Sequence, residues 1–457
     1  NILSGLRNHF WKEITIPMLN ISAEHKKEHL YLEVYHYYRK MIMENRLLPG
    51  SKMPSLRKCA QDLKLSRTTI ENAYLQLAAD GYIIARPQSG YYVTDIARKQ
   101  HHLTLEKPFR DTIPCVYDFA SSGVDRESFR FDLWQRYIKS ALRQDERMLS
   151  YGEPQGEKDF REVLSDYVRE RRNVICSPDD IVVGAGLQSL LQILCPLIHD
   201  RKTVSFPTPS FIQCSTVFED YGFDVHYRNK NCDVIYVSPA HMTKWGEIMP
   251  VKRRLELIRH AETDGHLIIE DDFENEFVYL QKPTPSLFGL AGGENVIYIG
   301  SFSRLLLPSI RVSFMVLPPS LRELYIKKAA CYNQTASKAE QIALCQFIRD
   351  GHMLSQTRKL RRLYAQKLKA LTSAVKETFG KNCQIITGAA GTSLALTIPC
   401  PATGDQLIKA ACTQGLRLEV LKETEETISL VLSCSSIPLK DFLPACQLLK
   451  TVTDSFV

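Results

Sequence analysis

The amino-acid sequence predicts an α/β protein in two unequal parts, a small helical unit closed by a β-hairpin and a much larger unit built on a mainly parallel sheet. Two patterns predict it. Between residues 30 and 95, three helical stretches with their own start and stop signals run into two short strands around a turn. From about residue 116, short and continuously apolar strands alternate with helical segments, the pattern of strands buried on both faces. A length of 457 residues, 44% of them hydrophobic, is enough for two or three ordinary globular domains.

In the small unit, LYLEVYHYYRKMIMENRL sets Leu30, Val34, Tyr37 and Met41 at three- and four-residue spacing, which makes it an amphipathic helix. LLPG stops it. Ser55 is placed to cap the free N–H groups of a second helix, SLRKCAQDLKL. Ser66 does the same for a third, RTTIENAYLQLAADG, which Gly81 closes. YIIARPQSGYYV then reads as two β-branched and aromatic strands around an R-P-Q-S-G turn. Helix, helix-turn-helix and hairpin in that order make a winged helix-turn-helix.

From Glu24 to Asp95 there are 11 Lys and Arg against 8 Asp and Glu. Five of the basic residues, Lys52, Arg57, Lys58, Lys64 and Arg67, lie close together with Asp62 alone against them. Any one of them also fits a solvated face; gathered at the ends of two helices, they suit phosphate contacts. Arg67, Thr68 and Thr69 would be offered to base edges in the major groove, and Gln88 and Ser89 of the wing to the neighbouring groove or backbone.

The rest of the composition mostly excludes. A formal net charge of +7 permits a nucleic-acid partner without requiring one. Thirteen cysteines, an odd number with no C-x-x-C pair, suit free thiols in a reducing compartment. No run of eighteen apolar residues occurs, and NILSGLRNHFWKEI lacks the apolar centre and cleavage site of a signal peptide. The expectation is a soluble, cytoplasmic protein with no membrane partner.

Residues 24–95 are thus assigned to the winged helix-turn-helix, 96–115 (IARKQHHLTLEKPFRDTIPC) to a polar, proline-containing linker, and 116–457 to the large unit. There DDIVVGAG, KTVSFPTP, CDVIYVSPA, HLIIEDDF and NVIYIGSF read as strands, with GLQSLLQILCPLI and VKRRLELIRHAE as helices between them. Ligands in such folds collect at the C-terminal ends of strands. Standing there are Gly186, Leu187 and Gln188 at a helix start, Phe211, Asp271, Ser301 and Ser303. Singly, each also fits an ordinary turn, cap or core position. The segment from about Ala339, with QIITG, SLALTIP and ISLVLSC as strands, reads as a smaller α+β subdomain.

The stretch LPGSKMPSLRKCAQDLKLSRTTIENAYLQLAADGYIIARPQSGYYV resembles the DNA-binding domain of the GntR class of bacterial transcriptional regulators. The resemblance implies that Ser55, Arg57, Ser66, Arg67, Thr68 and Thr69 face the operator. Further on, SYGEPQGEKDFREVLSDYV, GAGLQSL, FPTPSF, SPAH, IIEDDFENEF, YIGSFSR and PSIRVSFMVLPP resemble, in order, the aminotransferase-like domain of the MocR regulators. In that family a GntR-type reader is fused to a domain of the pyridoxal-phosphate-dependent transferase fold type I.

The resemblance implies a cradle for the cofactor phosphate from the backbone at Gly186, Leu187 and Gln188, the hydroxyls of Ser301 and Ser303, and the Arg311 guanidinium. It makes Asp271 the partner of the pyridine nitrogen and Phe211 the stacking aromatic. Phe273 stands where the family has a Tyr whose hydroxyl bonds the cofactor's phenolic oxygen. Ser436 is aligned with the family's arginine for an amino-acid carboxylate. Arg304 occupies the position of the lysine that forms the Schiff base.

Imine formation needs a neutral amine. Lysine starts near pKa ~10.4 and is readily lowered, whereas a guanidinium at roughly 12.5–13.8 stays charged with its lone pair delocalised. The released lysine is also the base that moves the substrate proton in relatives. The expectation is therefore no catalytic residue, no metal site and no transamination. Two roles stay open for Arg304: holding the phosphate or carboxylate of a non-covalent ligand, or turning inward to pair with Asp271.

The function expected is a transcriptional regulator that binds double-stranded DNA at an operator with two half-sites. The resemblance implies a homodimer, domain-swapped head to tail, that senses a small anionic effector or pyridoxal phosphate held non-covalently. The alternatives are a pyridoxal-phosphate aminotransferase with an accessory DNA-binding arm, and a dimerisation scaffold with no ligand.

Overall fold

The computed structural model describes residues 30–95, 115–121, 123–125, 127–279 and 284–456. They fall into two compact units, one up to residue 95 and one from residue 115 on. The linker expected at 96–115 lies, but for its last residue, outside the described residues, as do positions 24–29 of the expected reader.

The small unit has helices at Leu30–Met43, Leu56–Leu63 and Arg67–Ala79 and an antiparallel hairpin of Ile83–Arg86 with Gly90–Val93. Its cap signals act as read. Ser55 Oγ accepts from the Lys58 N–H at 3.2 Å and Ser66 Oγ from the Thr69 N–H at 3.1 Å, each satisfying a donor with no partner inside its helix. Gly81, at φ +77°, turns the chain into the hairpin in a conformation that costs glycine little.

The first helix is phased differently from the expectation. Its buried positions are Val34, Tyr38 and Ile42, with Tyr37 and Met41 at the flank. Tyrosines at 35, 37 and 38 make two neighbouring stripes almost equally apolar, and packing chooses between them. Tyr38 meets Tyr74 edge-on at 5.6 Å, and its hydroxyl finds Cys59 Sγ at 3.2 Å. A bridge between Lys52 and Tyr92 adds a third short edge to the wing, a pairing the sequence pattern did not signal.

The large unit is organised by a seven-stranded sheet whose order is Ile181–Gly184, Ser313–Val316, Val296–Ser301, Leu267–Asp271, Val234–Val237, Thr203–Phe206, Asp224–Tyr227. Every pairing is parallel except the two made by Ser313–Val316. The five expected strands are all present. Ser313–Val316 and the partly exposed edge strand Asp224–Tyr227 were not marked as strands in the sequence.

Alternation along the central strand fixes the site. Ile268 enters the core shared with Tyr298 and Phe314, while Leu267 and Ile269 enter the opposite one, with Phe206 and Tyr236. Asp271 ends the strand in phase with the second set.

A four-stranded antiparallel sheet (Gln384–Ile386, Ser393–Pro399, Thr427–Ser433, Glu419–Glu423) packs with the long helix His352–Phe379 and the helix Phe442–Asp454, forming the smaller α+β part. Tyr117–Asp118 pairs in parallel with Leu416–Arg417, tying the start of the unit to that part. Among the described residues no helix is long and apolar enough to cross a membrane.

Candidate nucleic-acid interface and ligand site

On the small unit Ser55, Arg57, Ser66, Arg67, Thr68 and Gln88 are exposed, and Thr69 and Ser89 half-buried. Ser66 and Thr69 also join their hydroxyls at 2.7 Å, which locks the first turn of the helix that presents Arg67 and Thr68. Gln88, at φ +57°, forms the tip of the wing, and Ser89 Oγ lies 2.7 Å from the Tyr92 hydroxyl. Two cations flank that ring: Arg86 at 4.5 Å from its centroid and Lys52 at 5.9 Å. They belong with the basic set; Arg86 escaped notice because only the fold brings it beside Lys52.

On the large unit one end of the candidate site gathers groups of the kind that suit an anion. Helix Leu187–Leu194 begins at Gly186, whose φ of +89° and lack of a Cβ let the Arg311 guanidinium lie directly against the helix start; a Cβ would run into it. Ser301 sits at a strand end with its Oγ 3.2 Å from Ser303 Oγ and 3.1 Å from Ser313 Oγ. The neighbouring turn is fastened by Thr335, whose hydroxyl accepts from the Ala185 N–H at 3.0 Å and from Ser189 Oγ at 2.9 Å. N–H groups at a helix start, a guanidinium and clustered hydroxyls are the groups a phosphate would call for. Leu187 is half-buried, and the exposed Gln188 turns its amide to the Gln213 carbonyl at 3.0 Å.

Asp271 lies deeper. Its carboxylate accepts from the Tyr236 hydroxyl at 2.6 Å, and burial pushes its pKa up to about 7 against the lowering effect of that bond. Phe211 contacts Phe206 and Tyr236 with centroids 6.4 and 5.7 Å apart.

The inward pairing of Arg304 with Asp271 is not what forms. Arg304 Nε donates to Glu274 Oε1 at 2.5 Å, its Nη2 pairs with the same carboxylate, and its Nη1 donates to the Gly123 carbonyl at 3.2 Å. Asp271 is on the strand and committed to Tyr236, whereas Glu274 comes after the turn, in the left-handed region at φ +57°. Burial alone would raise the Glu274 pKa; the Arg304 charge and its hydrogen bond bring it below its ordinary value. His241 Nδ1 is 3.2 Å from Glu274 Oε2, and its ring is 4.9 Å from Phe273. Burial, aided by the Arg304 charge, pushes the His241 pKa down and favours the neutral ring. Ser436 is exposed and donates to the Asp118 carbonyl at 3.0 Å.

Beneath the site two other carboxylates of LIIEDDFENEF, Glu270 and Asp272, have partners of their own. Glu270 accepts from the N–H groups of Leu287 and Phe288, and Asp272 from Arg172 and the Tyr298 hydroxyl. Sequence reasoning singled out Asp271 and missed Tyr236, His241 and Glu274. The one hydroxyl in the otherwise aliphatic run VIYV was a signal for Tyr236; for Glu274, beyond the strand end, there was none.

The residues present fit pyridoxal phosphate at two points, the anion cradle and the Asp271 carboxylate that would face a ring nitrogen. They do not fit it at the aldehyde, where a guanidinium bound to Glu274 replaces an amine and Phe273 offers no hydroxyl. Reader and body together define a class: a helix-turn-helix protein carrying an aminotransferase-like body.

Residues 30–93 match the family of bacterial regulatory proteins, gntR family, and residues 126–422 match aminotransferase class I and II. The uncharacterised HTH-type transcriptional regulator YdeL of Bacillus subtilis (strain 168) is 32% identical over 409 residues, 85% of this chain and 88% of the relative. The probable rhizopine catabolism regulatory protein MocR of Rhizobium meliloti is 26% identical over 425 residues, covering 86% of each. Among solved structures, LysN, an α-aminoadipate aminotransferase from Thermus thermophilus complexed with N-(5'-phosphopyridoxyl)-L-leucine, has a similar fold (TM-score 0.63, 19% identity, 78% of this chain and 97% of that one). The chain belongs to the MocR-type transcriptional regulators, a GntR-family helix-turn-helix joined to a class I and II aminotransferase domain.

Proposed function

We propose that the aminotransferase-like domain of this DNA-binding regulator is a sensor without transaminase activity, holding a small phosphorylated ligand such as pyridoxal phosphate non-covalently. The observation that carries the reading is the engagement of Arg304 by Glu274. The residue at the covalent position is a permanent cation, and it is already neutralised by a buried carboxylate. The anion cradle supports a phosphate, and Asp271 supports a basic ring nitrogen. Nothing in this arrangement supplies an amine to bond the aldehyde or a lysine to move a proton.

The reader, acting in the cytoplasm on double-stranded DNA, would use Arg57, Arg67, Thr68, Thr69 and the wing residues Gln88 and Ser89. Ser55 and Ser66 present their helices, and a homodimer would read two half-sites.

Two experiments test this. Calorimetric titration with pyridoxal phosphate should give heat, while borohydride treatment of the mixture leaves no adduct on any lysine; a reducible lysine adduct would falsify the sensor reading in favour of an aminotransferase, and absence of heat would favour a ligand-free scaffold. For the reader, Arg67→Ala should weaken operator binding by about 1–3 kcal/mol and relax specificity at one position. Unaltered binding would take Arg67 out of the interface.

A further inference from the structure

At the far end of the strand that carries Asp271, three metal-ligating side chains converge outside the ligand site. His260 and Asp264 lie one turn apart at the C-terminal end of helix Val251–Asp264, and His266 follows Gly265 just before strand Leu267–Asp271 begins. Their ligand atoms all lie within 4.8 Å of one another. His260 Nδ1 is 2.8 Å from Asp264 Oδ2, and His266 Nε2 is 3.9 Å from the same oxygen.

The hydrogen bonding of His260 makes this more than proximity. Its Nε2 lies 2.7 Å from the Lys230 carbonyl, which can only accept, so Nε2 carries the proton. In the neutral ring Nδ1 then presents a lone pair to a carboxylate, two acceptors facing each other. A proton or a metal ion between them would resolve the conflict. A histidine that donates its other N–H to a backbone carbonyl has the arrangement that orients metal-bound imidazoles.

Donors at about 2.0–2.1 Å from a tetrahedral ion stand roughly 3.3 Å apart, and the two separations of 2.8 and 3.9 Å bracket that spacing. Gly265, at φ +71°, reverses the chain so that His266 comes back over the helix end. The nearby Arg201 guanidinium donates to the Gly265 carbonyl at 2.7 Å. His266 is mostly covered, and Asp264 is half exposed, which leaves a path for an ion from solvent.

We propose that His260 Nδ1, Asp264 and His266 Nε2 form a binding site for a divalent transition-metal ion, Zn2+ being the best match. Two imidazoles and one carboxylate select a borderline ion over Mg2+ or Ca2+, and three protein ligands leave the remaining position to water. Bound there, the ion would tie the helix end to the strand start, at the opposite end of the strand from Asp271.

The test uses the full chain without a polyhistidine tag, titrated with Co2+ and then Zn2+. The expected result is one ion per chain, a cobalt spectrum without a thiolate charge-transfer band, and a rise in melting temperature with Zn2+. His260→Gln and His266→Gln should each weaken binding about tenfold or more. Circular dichroism checks their folding, and Asp264→Asn, at a more exposed position, gives an independent loss of affinity. The proposal fails if the unmodified protein takes up no ion, if stoichiometry survives in the His260→Gln/His266→Gln double variant, or if a thiolate band assigns the ion to the cysteines.

Discussion

The two ends of the ligand site draw on one stretch, Gly300 to Arg311, and treat charge in opposite ways. At the proposed phosphate end, Arg311 and the hydroxyls of Ser301 and Ser303 stand beside a helix start, a grouping that would suit an anionic ligand. At the aldehyde end, Arg304 spends its charge on Glu274. An anion site works by keeping a cation available, whereas a buried carboxylate demands one. On the proposed reading, the domain would keep affinity for a phosphorylated ligand without bonding to it covalently.

The most drastic way to break this comparison is to return an amine to the second end. Arg304→Lys should convert a protein with no borohydride-stable pyridoxal adduct into one modified at residue 304, read by peptide mass spectrometry. Failure of the adduct to appear would mean that Glu274 or Phe273 also bars the chemistry. Next in size, Arg304→Met leaves Glu274 buried without its cation and should cost about 3–5 kcal/mol in the unfolding free energy, with much of the loss recovered by adding Glu274→Gln. A loss below ~1 kcal/mol would show that the pair is solvated rather than structural.

At the phosphate end, Arg311→Ala should weaken pyridoxal phosphate binding about tenfold with little change in stability, because the lost interaction is a charge-assisted bond to ligand. Equal affinity would remove Arg311 from the cradle.

The smallest effect is a pH slope. The Asp271 pKa is raised to about 7, so between the unfolded carboxylate value near ~4 and that figure the native state holds a proton the unfolded state has released. Stability from this group accordingly falls as pH rises through the window, and urea midpoints of Asp271→Asn should fall less steeply than those of the unaltered protein. Glu274 has the opposite sign: its lowered pKa contributes stability present above the unfolded value and lost on acidification.

Much of the architecture was legible because its signals are local. Ser55, Ser66 and Gly81 marked helix ends in the small unit, and the apolar runs ending at Gly184, Phe206, Val237, Asp271 and Ser301 marked the strands of the sheet. Ser313–Val316, buried throughout like the strands that were read, was not marked, and its antiparallel place between two parallel-sheet strands is set by the fold and not by its own four residues. In the first helix the tyrosine run left two faces to choose from, and contacts with Cys59 and Tyr74 made the choice.

By itself the sequence determined that residue 304 is a guanidinium and so cannot be the amine of a Schiff base, for that follows from covalent structure. What the guanidinium does instead was decided by the fold. Glu274 is thirty residues away in the chain, reaches Arg304 by a left-handed turn after a strand end, and is matched to it by sheet order rather than by spacing. Local chemistry sets what a side chain can be; long-range pairing of strands sets which partner it meets.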